Sequence, residues 1–180
     1  MSDVRVTPWQ EGDSPDPPSE LLAGMRGRRP NGELIGIDRV LLRSFPLATG
    51  WNGLLGRVRA EFDLPLEYRE LIMLRVAALN RADFEWGVHY PAYLLAGGSE
   101  EKAEALKERR ANSVLFNEEE HALIALTDQS TQQVEVATDV IEKLKQMFGE
   151  AQTVEAAMGS SAPSSPSRSG WAPCSSAAGR

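Results

Sequence analysis

One segment, Leu66–Asn80 (LEYRELIMLRVAALN), constrains the fold of this chain more than any other. After Glu70 it is apolar at nearly every position, so a helix formed here has almost no polar side. Such a helix is stable only where other elements cover it all round. The sequence therefore predicts a helix at the centre of a bundle, with Asp63 as its N-cap and Pro65 in its first turn.

Helical signals also recur along the rest of the chain. Apolar residues at helical spacing or capping residues predict the helices Ser19–Met25, Leu34–Ser44, Pro46–Phe62, Asp83–Gly97, Glu100–Arg110, Asn117–Thr127 and Thr131–Phe148. Convincing strand alternation is found nowhere. The predicted class is all-α, a bundle whose short connections favour antiparallel neighbours. Within it, the sparse apolar content of Glu100–Arg110 predicts an exposed helix.

Composition predicts one helical domain between two irregular ends. Residues 1–19 contain four prolines and read as a flexible arm, and residues 20–158 carry the helical domain. From residue 159 the chain is rich in Ser, Ala, Gly and Pro, which predicts a disordered tail over 159–180 because little apolar surface offsets the ordering entropy.

Charge and cysteine usage exclude several functions. The net charge of −7 argues against a nucleic-acid partner. The single cysteine, Cys174, rules out an internal disulfide or a Cys-x-x-Cys site, and His89 and His121 lack metal-ligand spacing. We expect no metal, no membrane span and a cytoplasmic location, because the N-terminus lacks an apolar leader and no apolar run reaches roughly 18–20 residues.

Acid-base groups are concentrated on the central helix and the helix that follows it. Glu85 and His89 lie four residues apart and so share a helix face, and Glu70 is the last acidic residue before the apolar run of the preceding helix. Each group also has an ordinary interpretation: Glu70 as a carboxylate near a helix N-terminus, and Glu85 with His89 as a surface pair. The apolar surroundings favour a shared site, because buried polar groups need partners.

Three further residues are candidates for substrate binding. Arg75 lies within the apolar run, where a buried guanidinium needs an anion, either a structural carboxylate or that of a substrate. Arg69 flanks Glu70, and Trp86 lies between Glu85 and His89.

These residues resemble the carboxymuconolactone decarboxylase / alkyl hydroperoxidase D-like (AhpD-like) family. The stretch that carries the resemblance is LPLEYRELIMLRVAALNRADFEWGVHYPAYLLAGGSEE, closest over residues 64–101. Glu70, Ala82, Glu85 and His89 follow the order and spacing of the family's Glu, Cys-x-x-Cys and His. The resemblance implies an all-α fold, a homo-oligomer (trimer or hexamer) and either thiol-dependent peroxide reduction or decarboxylation of a carboxylated lactone.

Two departures from the family pattern refine this expectation. Ala82 and Glu85 occupy the two cysteine positions, so the thiol mechanism should be absent, since it needs sulfur. Glu70, Glu85 and His89 remain as catalytic candidates for proton transfer. The family pattern also predicts a further apolar helix beginning near residues 152–155, in whose place the Ser/Pro-rich tail stands.

The sequence thus predicts a decarboxylase-like or isomerase-like lyase that uses no cofactor and acts on a small-molecule carboxylate. The alternative is a catalytically degenerate helical oligomer in which the same cluster is a structural polar network.

Overall fold

The computed structural model describes residues 6–29, 31–108, 114–133 and 135–161. In these residues the regular structure is helical throughout and no strand occurs, which confirms the all-α class. The helices are α1 (Ser19–Gly27), α2 (Gly36–Leu41), α3 (Phe45–Ala60), α4 (Leu66–Asn80), α5 (Asp83–Leu95), α6 (Glu100–Leu106), α7 (Glu118–Gln132) and α8 (Thr138–Ser161).

The described residues form two compact units that divide after Glu61. The first contains α1 to α3 and the second contains α4 to α8. The domain boundaries predicted from composition, 1–19, 20–158 and 159–180, stay a prediction. Of the predicted tail, 162–180 lies outside the described residues, whereas Gly159 and Ser160 are part of α8.

The first unit packs around a small apolar cluster and one buried carboxylate. Trp9, within the segment predicted to be a flexible arm, is only 4% exposed, and its backbone N–H donates to the carbonyl of Arg39. Asp38 is buried and accepts two hydrogen bonds from Arg29, both of 2.7 Å. Its carboxylate also accepts the N–H of Ile35 at 3.1 Å and so caps the start of α2. A buried anion with a cation and a backbone donor satisfies its hydrogen-bonding needs.

Helix α4 is the central helix of the second unit, as its apolar composition predicts. It packs against α5, α6, α7 and α8, and Leu71 and Leu74 are fully buried. Its N-terminus differs from the prediction, because the N-cap position falls on Pro65 and the Asp63 side chain does not cap it. The carboxylate of Glu155, on α8, instead accepts the N–H groups of Asp63 at 3.2 Å and Leu64 at 2.8 Å.

A tight turn joins α4 to α5, and Gly97 ends α5. At the end of α4, Arg81 has the left-handed backbone conformation (φ 54°), and the N–H of Ala82 reaches the carbonyl of Ala77. At the end of α5, Gly97 (φ 111°) takes the equivalent position, and the N–H of Gly98 reaches the carbonyl of Tyr93. Both are Schellman ends, which satisfy the last carbonyls of a helix. The prediction that glycine ends α5 is confirmed.

Helices α6 and α7 begin at the predicted caps. The hydroxyl of Ser99 accepts the N–H of Lys102, and Asn117 with Glu120 forms the predicted capping box. The prediction of an exposed α6 was wrong, because Ala103 and Leu106 are fully buried against the second unit's core. Few apolar residues suffice to bury a helix of this length on one side.

The boundary between α7 and α8 also differs from the prediction. Helix α7 continues to Gln132, and α8 begins at Thr138 rather than at residue 131. Within α8, Gly149 has a non-helical backbone (φ 75°), so two helical segments meet there. The second segment runs through Thr153 and Glu155 to Ser161, and its Ala156 is fully buried in the core.

Candidate functional site

A carboxylate–imidazole pair joins α4 to α5. Oε2 of Glu70 lies 2.7 Å from Nδ1 of His89. The Glu70 side chain is 13% exposed and that of His89 is 23% exposed, so the pair is largely withdrawn from water but can still be reached. The expected meeting of Glu70 and His89 is therefore observed.

The α4–α5 hairpin accounts for this meeting. The tight turn at Arg81 makes the two helices antiparallel, and Glu70 and His89 lie at comparable distances from it. Tyr93, one turn after His89, is fully buried and fixes the same side of α5 against the core. The geometry of the hairpin thus places the side chains of Glu70 and His89 opposite each other.

The bond to Glu70 determines what His89 can do chemically. With Nδ1–H donating to the carboxylate, the neutral ring presents Nε2 as a base, and the protonated ring presents Nε2–H as an acid. The carboxylate stabilises the imidazolium through a charge-assisted hydrogen bond. The pair is consequently suited to holding and moving one proton.

Glu85 does not join this pair. It lies one turn before His89 on α5 and is half-buried, yet within the described chain it makes no hydrogen bond to Glu70 or His89. The structure therefore shows a pair of interacting groups with a third carboxylate nearby on the same helix.

Arg75 is held entirely by the protein. It is fully buried, and its guanidinium binds both carboxylate oxygens of Asp128, at 2.6 and 2.9 Å. The carbonyls of Leu106 and Glu108 accept two further bonds of 2.6 Å. Of the two partners considered for Arg75, the structural carboxylate is the one observed, and no donor faces a substrate.

The other two predicted binding residues lie closer to the pair in sequence. Arg69 is half-buried on α4 beside Glu70 and has interactions of its own within the protein. Trp86 is half-buried on α5 and stacks on Tyr90, with ring centroids 6.1 Å apart.

Sequence reasoning missed one cation beside this aromatic surface. The ammonium of Lys107 lies 4.6 Å from the centroid of the Trp86 ring, a distance typical of a cation–π contact. The same ammonium pairs with Glu104 at 2.7 Å, and the Lys107 side chain is 47% exposed. No local signal identifies it, because the contact joins the end of α6 to the first half of α5.

The described residues offer neither a metal-binding cluster nor a membrane-spanning helix. They contain no group of three or more His, Cys, Asp or Glu side chains arranged to hold a metal ion. Among the described helices, none combines the length and hydropathy needed to cross a bilayer.

Fold and site together define a class: an all-α protein with a hydrogen-bonded Glu–His pair on a helical hairpin and no thiol at that hairpin. The model of the carboxymuconolactone decarboxylase family matches residues 46–128, from α3 to the Asp128 that binds Arg75. Over these residues, just under half of the chain, the resemblance to that family is confirmed. A comparison with curated proteins gives no match.

Proposed function

We propose that the protein is an acid-base catalyst that decarboxylates or isomerises a small carboxylated lactone or a related unsaturated acid. The observation that carries the proposal is the 2.7 Å contact between Glu70 and His89. Ala82 and Glu85 at the family's thiol positions direct the proposal away from peroxide reduction, which requires sulfur.

In the proposed decarboxylation, the bond between the substrate carbon and its carboxylate breaks and CO₂ leaves. The electron pair stays on the substrate as an enolate extended over the unsaturated system. Nε2–H of protonated His89 then gives its proton to one carbon, and His89 regains a proton from water. Glu70 stabilises the imidazolium and orients the ring, the role that a carboxylate has beside a catalytic histidine.

Isomerisation would use the same groups without loss of CO₂. Neutral His89 removes a proton from a carbon next to the carbonyl and returns it at another carbon. Glu85 is half-buried one turn before His89, so both side chains lie on the same face of α5. It is the proposed acceptor or donor when the two carbons lie too far apart for one imidazole.

Lys107 and Trp86 are the proposed binding surface for the substrate. An unsaturated ring packs on the indole, and the ammonium of Lys107 exchanges its exposed partner Glu104 for the carboxylate of the substrate. Arg69 stays a candidate for the same role, whereas Arg75 is already bound to Asp128.

Turnover of γ-carboxymuconolactone and related unsaturated acids tests the proposal. His89→Gln and Glu70→Gln should each lower kcat/KM by about 10²-fold or more, the usual contribution of a positioned acid-base group. His121→Gln is the matched control, since His121 packs edge-on against Phe116 and has no part in the pair. Equal rates for wild type and His89→Gln would contradict the assignment of His89.

The alternative is a degenerate family member in which the pair only stabilises the hairpin. The low exposure of Glu70 and the bond to His89 also favour this interpretation, because each group satisfies the other. Glu70→Gln separates the two. A large loss of stability, with no turnover by wild type and no ligand-induced rise in its Tm, would support the structural role.

A further inference from the structure

The first unit contains a polar cleft beside the loop that joins α1 to α2. Its volume is about 360 Å³, within the range of roughly 300–1,000 Å³ that is usual for ligand sites in proteins. Six residues line the cleft: Glu11, Arg26, Gly32, Glu33, Leu34 and Arg39. Leu34 has the one apolar side chain among these six, so the lining favours a polar, charged ligand.

The loop between α1 and α2 has a fixed position beside the cleft. Gly32 has φ 69°, a left-handed conformation that favours glycine, and its N–H donates to the carbonyl of Arg29 at 3.1 Å. Leu34 is 8% exposed and packs in the apolar cluster of this unit. Glu33 lies between these two anchored residues, so the position of its backbone does not depend on its carboxylate.

Glu33 and Arg39 line the same cleft with opposite charges but do not form an ion pair. The guanidinium of Arg39 donates to two neutral acceptors, the carbonyls of Leu34 at 3.3 Å and Trp9 at 3.4 Å. Glu33 is exposed and forms no ion pair within the part of the chain that the structure describes. An anion and a cation that line one cavity without meeting are complementary to a ligand that carries both charges.

The other two charged residues of the cleft neutralise each other. Nη2 of Arg26 donates to Oε1 of Glu11, and the two side chains are 41% and 71% exposed. Such a pair can still offer a donor and an acceptor to an uncharged polar group. A carboxamide, which has both an oxygen acceptor and N–H donors, matches it.

We propose that the cleft binds a small zwitterion, a free amino acid with a polar side chain. The ligand's carboxylate pairs with Arg39 and its ammonium pairs with Glu33. Its side chain forms hydrogen bonds with Arg26 and Glu11. The site is separate from the proposed chemistry, because its six residues belong to the first unit, whereas Glu70 and His89 belong to the second. Failure of either proposal therefore leaves the other standing.

Titration calorimetry of the full chain with L-glutamine tests the site. N-acetyl-L-glutamine lacks the ammonium and L-glutaminamide lacks the carboxylate, so each should bind about 10-fold more weakly through the loss of one charge-assisted hydrogen bond. Glycine, which has no side chain to reach the Arg26–Glu11 pair, should also bind more weakly. Absence of binding by L-glutamine at millimolar concentration, or equal affinity for L-glutamine and its two analogues, would overturn the proposal.

Two variants test the assignment of each charge. Glu33→Gln should remove the preference for L-glutamine over N-acetyl-L-glutamine and keep the preference over L-glutaminamide, and Arg39→Gln should do the reverse. Glu20→Gln and Arg57→Gln are the matched controls, since both residues are exposed in the same unit and outside the cleft. Circular dichroism verifies that each variant is folded. A purely structural role would change the affinities for all three compounds alike, so unaltered preferences in both cleft variants would contradict the proposal.

Discussion

At the scale of single residues, Gly98 is a position that does not tolerate a side chain. A Cβ added there would lie 2.3 Å from Cζ of Tyr93, a ring that is fully buried and cannot move aside. We expect Gly98→Ala to lower the free energy of unfolding by about 1–3 kcal/mol, the usual cost of overpacking a core. Urea denaturation measures the change.

Gly87 provides the matched control for this substitution. It lies in the interior of α5, and a Cβ there would meet nothing within 4 Å. Gly87→Ala should therefore raise the free energy of unfolding by about 0.5–1 kcal/mol through helix propensity alone. Equal effects of the two alanines would show that Tyr93 does not pack against Gly98 as described.

Individual site residues were predictable where the deciding contact is local. Glu70 and His89 lie on consecutive helices, so their spacing and the short connection between them are enough to bring them together. The partner of Arg75 was not predictable, because Asp128 is 53 residues away and one buried arginine in a sequence does not say which carboxylate it meets. The exposure of Phe84 and Val88 is likewise not readable from the sequence, since apolar residues are ordinarily assigned to the core.

At the scale of elements, Arg75 connects three helices. From α4 it binds Asp128 on α7 and the carbonyls of Leu106 and Glu108 at the end of α6. Arg75→Met should lower the free energy of unfolding by about 3 kcal/mol, because it leaves the anion and two carbonyls without their donor. Asp128 is 28% exposed, so water can partly solvate its carboxylate in the variant. The expected loss of stability is therefore at the lower end of the usual range for a broken buried ion pair.

The control for Arg75 is a cation at the surface of the same unit. Lys145 pairs with Glu142 at 3.2 Å and is 35% exposed. Lys145→Met should leave the free energy of unfolding nearly unchanged, because an ion pair at the surface is screened by water. Adding Asp128→Leu to Arg75→Met should recover part of the loss. An Arg75→Met protein as stable as the wild type would contradict the structural role.

The start of α4 depends on a residue far away in sequence. The carboxylate of Glu155 on α8 accepts the N–H groups of Asp63 and Leu64, which directly precede the N-cap position at Pro65. Glu155→Ala should lower the free energy of unfolding by about 1–2 kcal/mol, the usual value of a lost cap. Glu155→Gln should cost less, because its amide oxygen still accepts one bond. Thermal melts of the two variants, with the exposed Glu150→Ala as control, measure the difference.

Helix existence was predictable here, whereas several helix ends were not. The apolar run of α4, the Ser99 cap and the Asn117–Glu120 capping box are local signals, and each is observed. No glycine or proline marks the boundary between α7 and α8, and apolar residues at helical spacing continue across it. The predicted start of α8 was therefore too early in the chain. Where the local sequence does not determine a helix end, tertiary contacts such as that of Glu155 determine it.

At the scale of the whole molecule, family membership and compact units follow different boundaries. The family match begins at residue 46, within α3, whereas the compact units divide after Glu61. Composition alone predicted one domain, because the chain from residue 20 onward is uniformly helical in pattern. Contacts between distant residues, which no periodicity records, determine where one compact unit ends and the next begins.

Two tyrosines of the second unit, the half-buried Tyr68 and the fully buried Tyr93, link the stability of the folded chain to pH in the alkaline range. Burial, together with the hydrogen bond that its hydroxyl donates to Glu119, raises the pKa of Tyr68 to about 12. Burial also raises the pKa of Tyr93. In the unfolded chain a tyrosine titrates near pH 10. The folded state therefore holds these protons more tightly, and the associated stability is fully present below pH 10 and lost as pH rises through 12.

The free energy of unfolding should accordingly fall between pH 10 and about pH 12, with a smaller slope in Tyr68→Phe than in wild type. Phenylalanine keeps the edge-on contact of Tyr68 with Phe148 and removes only the ionisable hydroxyl. Urea denaturation at a series of alkaline pH values gives the slopes, and tyrosinate absorbance of the folded protein gives the titration directly. Identical slopes for the two proteins would mean that Tyr68 titrates normally and that another group controls alkaline unfolding.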